Sequence, residues 1–344
     1  MKNIFVLSAG LLLCAGSGLA FASADNNDAT NNFYDNTEPA ALPLQKLEIA
    51  GEVSNPGPVD FTKLAKRQVV VKETVLDEAG KPKFVGAYTY EGYSLFDILN
   101  TAVLDKRNKF DFAPVIDVYV EIENFSGDKA VFSWGELYYP NDLHKVIIAA
   151  SAARIVPSKT RDLWPLPLRS KLVAANDLVS ERNIEEPVKI TVKSYPKSLA
   201  VEKGLSPMYA PAISVFYGEE KKAELTDFPV GLSTQTYETV FYGRGKGIHS
   251  TTPFAGVMLK DVLKPYYPFN RENLRTGMFC VAARDGYRAA VSYSELFNRN
   301  DQREFLLVKT APDEDGGLFR TFPAPDFFSD RAVRSVSAIY FQDR

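Results

Sequence analysis

Tyr90-Glu91-Gly92-Tyr93-Ser94-Leu95-Phe96-Asp97-Ile98-Leu99 returns later in the chain as Phe254-Ala255-Gly256-Val257-Met258-Leu259-Lys260-Asp261-Val262-Leu263. An aromatic residue, Gly, Leu, Asp and Leu recur at the same spacing. Further on, Glu136-Leu137 with Asn141-Asp142 matches Glu295-Leu296 with Asn300-Asp301. Asp177, Ser180, Arg182 and Ile190 then match Asp326, Ser329, Arg331 and Ile339. The distance between equivalents shrinks along the chain, as it does when loops shorten while elements keep their register. Ordered matches of this kind define an internal duplication.

Each copy reads the same way. A strand-like run opens it, Lys46 to Val53 or Ala212 to Tyr217. In the Gly-x-x-Leu segment, Leu95, Ile98 and Leu99, or Leu259, Val262 and Leu263, fall on one helical face. Strand pairs follow, Val115 to Ile122 with Lys129 to Trp134 and Met278 to Ala283 with Arg288 to Tyr293. Asp285-Gly286 signals a tight turn between the latter two. A short apolar strand (Val146 to Ala149, Phe305 to Val308) and a closing alternating run (Val188 to Val192, Val336 to Phe341) complete the copy. Strands mixed with one or two short helices predict an α+β fold in two tandem copies.

The ends and joints follow from composition. Lys2, an apolar run from Ile4 to Leu13 and the small residues Ala22-Ser23-Ala24 give residues 1–24 the order of a cleavable signal peptide, cut after Ala24. There is no twin-arginine pair, so the expected route is the general secretory one, to the periplasm or beyond. Residues 25–44 read as a polar leader, 45–195 as copy one, 196–211 as a Pro- and Gly-containing linker and 212–344 as copy two. Removing Lys2 takes the formal net charge from −3 to −4, which gives no reason to expect nucleic acid as a partner. No later segment is long and apolar enough to insert in a membrane. Cys14 leaves with the signal, so Cys280 remains alone and no intrachain disulfide is possible.

The ordered set Gly51 to Pro58, Tyr90 to Leu99, Leu166-Pro167-Leu168-Arg169, Arg182 to Val192 and Asp285-Gly286-Tyr287-Arg288 resembles the sulfite-oxidase-type molybdopterin-binding domain. The resemblance spans nearly all of Lys46 to Ser194 and, more loosely, Ala212 to Phe341. It implies a sulfite-oxidase-like fold, a molybdopterin cofactor and a cysteine thiolate on molybdenum just before the Gly-x-x-Leu segment. That stretch is Val69 to Val75 in copy one and Tyr237 to Gly243 in copy two, and neither contains cysteine. A carboxylate or phenol there would be a different ligand with different redox behaviour. Cys280, flanked by Phe279 and Val281, reads as a buried core residue.

Other chemistry is sparse. His144 and His249 are the only histidines and do not match between copies, so no protein metal site is expected. No catalytic residues are assigned, since no nucleophile motif such as Gly-x-Ser-x-Gly occurs. The Asp-x-x-Ser-x-Arg repeat reads as structural, with Asp and Ser bonding local backbone and Arg pairing with a carboxylate. The candidate ligand site is the run Tyr242-Gly243-Arg244-Gly245-Lys246-Gly247-Ile248-His249-Ser250-Thr251-Thr252. Its glycines let backbone N–H groups turn toward a ligand, while Tyr242, Arg244, Lys246, His249, Ser250 and Thr251 supply polar contacts. The same run also reads as a flexible basic hairpin loop. The expectation is an exported protein that binds a small molecule, an anion or a periplasmic protein without catalysis and without a cofactor. The alternatives are a molybdopterin-dependent oxidoreductase with non-cysteine ligation and a structural or assembly partner.

Overall fold

The computed structural model of the protein describes residues 33–310 and 317–342. The signal segment 1–24 and the first part of the leader lie outside the described residues. The α+β expectation is overturned: 41% of the chain is strand and 12% helix, and four small sheets take a propeller-like arrangement unlike a sulfite-oxidase domain. The reason lies in the length of the helices. Leu95, Ile98 and Leu99 do share one buried face, but the helix they form is Leu95–Leu99, little more than one turn. Its counterpart Leu259–Leu263 is equally short. A helical apolar spacing over one turn marks a corner between strands and carries no information about helix length.

The duplication is visible as topology. In copy one a sheet runs in the order Gly57–Pro58, Glu48–Gly51, Pro187–Ser194, Val118–Asn124, Lys129–Ser133. Copy two repeats it as Glu220–Leu225, Ile213–Tyr217, Val336–Gln342, Met278–Ala283, Arg288–Ser292. In both, the opening strand lies parallel to the closing strand, which pairs antiparallel with the first strand of a hairpin. The second sheet of copy one carries Arg67–Leu76, Pro82–Ser94, Val146–Arg154 and Lys171–Ala174. That of copy two carries Thr234–Tyr237, Phe254–Met258, Phe305–Lys309 and Phe319–Pro323.

The recurring glycine is explained by this second sheet. A Cβ on Gly92 would sit 2.0 Å from the Ile148 carbonyl oxygen, and one on Gly256 would sit 2.4 Å from that of Leu307. Only a residue without a side chain lets the strand approach its neighbour so closely. At the leader's end, Ala40–Ala41 pairs with Ala152 and Ser151, and Leu42 is buried beneath it.

The copies are packed into each other. Leu76, Phe112, Ile116, Tyr139 and Val179 of copy one belong to the same buried cluster as the main core of copy two. Tyr119, Val131 and Tyr195 close a second cluster against Met278, Cys280 and Ala290. Reciprocal backbone bonds join them about a pseudo-two-fold relation: Leu178 N–H donates to the Asn298 carbonyl and Phe327 N–H to that of Tyr139, each at 2.7 Å.

Candidate functional site

The glycine-rich basic run folds as a small two-stranded hairpin, Phe241–Gly243 with Gly247–Ser250. Gly247 takes a positive φ of 77°, which closes the turn. A Cβ on Gly243 would meet two movable side-chain ends, His249 Nε2 at 2.4 Å and Ser329 Oγ at 3.0 Å. The His249 ring therefore lies across the strand at Gly243, 5.6 Å from the Phe241 ring.

One face of the hairpin walls a cleft of about 980 Å³. Arg244, Lys246, His249 and Ser250 line it, as the sequence suggested. Tyr242 and Thr251 do not. Tyr242 faces the opposite side, in a separate groove with Val240 and Phe327, and Thr251 is exposed outside the lining. Alternation between Tyr242 and Gly243 on the first hairpin strand turns the Tyr242 ring away from the cleft. The remaining walls come from distant parts of the chain: Arg320 from the second sheet, Asp330 and Arg334 from the segment before the last strand, and Leu205 and Met208 from the linker.

Among the described residues, the charged side chains that line the cleft are Arg244, Lys246, Arg320, Arg334, Asp285 and Asp330. Arg244 donates Nε–H to Asp330 Oδ1 at 2.9 Å, and this pairing holds its guanidinium above the ordinary value. Tyr287 donates its hydroxyl to the Asp330 carbonyl at 2.6 Å, and burial pushes that phenol up, so it stays protonated. The Arg320 guanidinium lies 4.8 Å from the Phe254 ring centroid and 5.4 Å from that of Phe241, within cation–π range. A concave surface that brings cationic side chains and aromatic walls together is suited to small anions.

The residues present do not fit a thiolate-held molybdenum. Val69 to Val75 and Tyr237 to Gly243 hold no cysteine. Cys280 is fully buried among Tyr119, Val131 and Met278, and burial pushes its thiol up to about 12. Among the described residues no group of three His, Cys, Asp or Glu side chains is placed to hold a metal ion. Nor is any helix among them long and apolar enough to cross a membrane.

The repeated Asp-x-x-Ser-x-Arg segment is internal. Arg182 is fully buried and ion-pairs with Asp177 at 2.6 Å and Glu136 at 2.5 Å. Arg331 does the same with Asp326 and Glu295, both at 2.6 Å. The aspartates therefore serve their arginines through the side chain. Compared with known protein families the chain matches none, and it matches no curated protein.

Proposed function

We propose that this is an exported, non-catalytic protein that binds a small anionic molecule in the copy-two cleft. The observation that carries this reading is the convergence of Arg244, Lys246, His249 and Ser250 with Arg320 and Arg334 on one concave surface. The test is calorimetric titration of the mature protein with phosphate, sulfate, acetate and benzoate, repeated on an Arg244→Ala/Lys246→Ala variant. Binding of at least one anion, weakened roughly tenfold or more in the variant, supports the assignment. Binding that the variant leaves unchanged moves the site elsewhere.

A second reading, a protein partner, has one observation in its favour. The outer face of the hairpin exposes Val240, Tyr242 and Ile248 beside Phe327, with the Tyr242 and Phe327 rings 5.7 Å apart. Polar substitution of Ile248 and Phe327 would abolish such an interaction without touching anion binding.

A further inference from the structure

Copy two breaks a ladder that copy one keeps whole. In copy one Arg67–Leu76 pairs with Pro82–Ser94 along its full length, with one bulge between Glu73 and Thr74. In copy two the same ladder comes in two pieces: Thr234–Tyr237 pairs with Phe254–Met258, and Phe241–Gly243 with Gly247–Ser250. Val69 pairs with Tyr90 and Tyr237 with Phe254, so the gap, Glu238-Thr239-Val240, stands where copy one has Val70-Val71-Lys72. Those three residues of copy one pair with Thr89, Tyr88 and Ala87. The sequence supplies a reason for the break. Pro253 takes the place of Thr89 and has no N–H to give. Thr252 gives its backbone N–H to Ser250 Oγ at 2.9 Å instead of to a strand.

The gap is an edge beside an apolar groove. Among the described residues, no backbone group of Glu238, Thr239 or Val240 has a hydrogen-bond partner. These residues wall a groove of about 500 Å³ together with Tyr237, Tyr242, Phe322 and Phe327. The groove meets the sheet at Phe322 and Ala324, the end of Phe319–Pro323 away from the segment 311–316. Two charges line it unpaired: among the described residues the side chains of Glu238 and Arg303 make no hydrogen bond or ion pair. Asp326, also in the lining, is paired with Arg331.

We propose that residues 238–240 take up an extended segment of another protein as an added strand. The segment places an apolar side chain in the groove, an acidic residue against Arg303 and a basic one against Glu238. The proposal rests on the protein-partner reading of the outer face above and adds the chemistry of the partner. An unpaired edge holds an extended peptide by main-chain hydrogen bonds, and every second side chain of the peptide then enters the groove. The added strand closes the ladder that Pro253 leaves open, and it pairs two charges that have no partner within the described chain.

In the experiment, random short peptides displayed on phage are selected on the chain from Asp25 onward. Enriched sequences are synthesised and measured by fluorescence anisotropy. Apolar residues at alternate positions, with one acidic and one basic residue, are the expected consensus. Backbone N-methylation of the peptide at every second residue is expected to weaken binding roughly tenfold or more in one register and to spare it in the other, because an added strand turns only one edge to the sheet. Arg303→Glu is expected to weaken the peptide by a similar factor. Exchanging the peptide's acidic residue for lysine is then expected to restore binding, which a misfolded variant could not show. Binding lost with Phe327→Ser yet equal in both N-methyl registers would keep the partner face and overturn the added strand. Binding that neither Phe327→Ser nor Arg303→Glu changes would remove the partner reading as well. No enriched peptide would overturn the added strand and leave a folded partner to the Ile248 and Phe327 substitutions.

Discussion

Ser133 Oγ donates to Glu295 Oε2 at 2.7 Å, carrying a hydrogen bond from the first copy into the second. Ser292 returns it, donating to Glu136 Oε2 at 2.8 Å. Each serine also caps its own short helix, accepting from the backbone N–H of the glutamate three residues on. Each glutamate is in turn paired with the buried arginine of its own copy. The residues that recur most faithfully between the copies thus form one reciprocal seam.

Breaking that seam on one side leaves buried carboxylates without their cation. Arg182→Met is expected to cost about 3–5 kcal/mol, because Asp177 and Glu136 lose a shared partner with no access to water. Arg331→Met should cost a similar amount. Urea denaturation of each variant is the measurement, and a loss below about 1 kcal/mol would show that the seam is dispensable. Lysine is not expected to rescue either site, since a point charge cannot replace a fork that serves two carboxylates.

The seam also gives the fold a pH dependence of definite sign. Burial, reinforced by Glu136, pushes Asp177 up to about 6, and burial with Glu295 does the same to Asp326, against the lowering effect of Arg182, Arg331 and Arg299. A carboxyl group whose pKa is higher folded than unfolded stabilises the fold below its unfolded value, and that contribution is lost as pH rises through the folded value. Between about pH 4 and 7 these two groups therefore lower stability as pH rises. Asp301 and Glu121, held low by Arg299 and by Lys193 with Lys129, act in the opposite sense. The check is the difference between wild type and Asp177→Asn/Asp326→Asn. The wild type should lose stability relative to the variant across this window, and parallel curves would contradict the assignment.

Gly243 is expected to matter for binding more than for folding. Gly243→Ala puts a methyl group against the His249 ring, which is exposed and free to swing away. Stability should change by no more than about 0.5 kcal/mol. Anion affinity should fall roughly tenfold as the hairpin wall shifts. Adding His249→Ala should restore it, and a double variant as weak as Gly243→Ala would disprove this steric route.

Cys280 should be inert while the protein is folded. Its thiol is fully buried and held up to about 12 by burial, so almost no thiolate forms at neutral pH. In a chain beginning at Asp25, which lacks Cys14, a thiol reagent should react only as fast as the protein unfolds. Rapid labelling of the native protein would contradict the packing of Tyr119, Val131 and Met278 around it.

The duplication could be read from sequence because the recurring residues do recurring physical work. Gly92 and Gly256 admit a neighbouring backbone, and Asp177 with Arg182, like Asp326 with Arg331, fills a buried seam. Fold class was harder, since Leu95, Ile98 and Leu99 mark a helical face whether the helix has one turn or four. The cleft was half legible. Arg244, Lys246, His249 and Ser250 announced themselves through glycine and charge, whereas Arg320 and Arg334 reach it from strands and loops far along the chain.

The most direct test of the binding role is an amide NMR titration of the deuterated chain from Asp25 onward with benzoate and with phosphate. Saturable shifts are expected at Gly243, Gly245 and Ser250 and at the backbone of Arg320, with the Arg271–Thr276 helix unmoved. Shifts at that helix instead, or none anywhere at millimolar ligand, would contradict it.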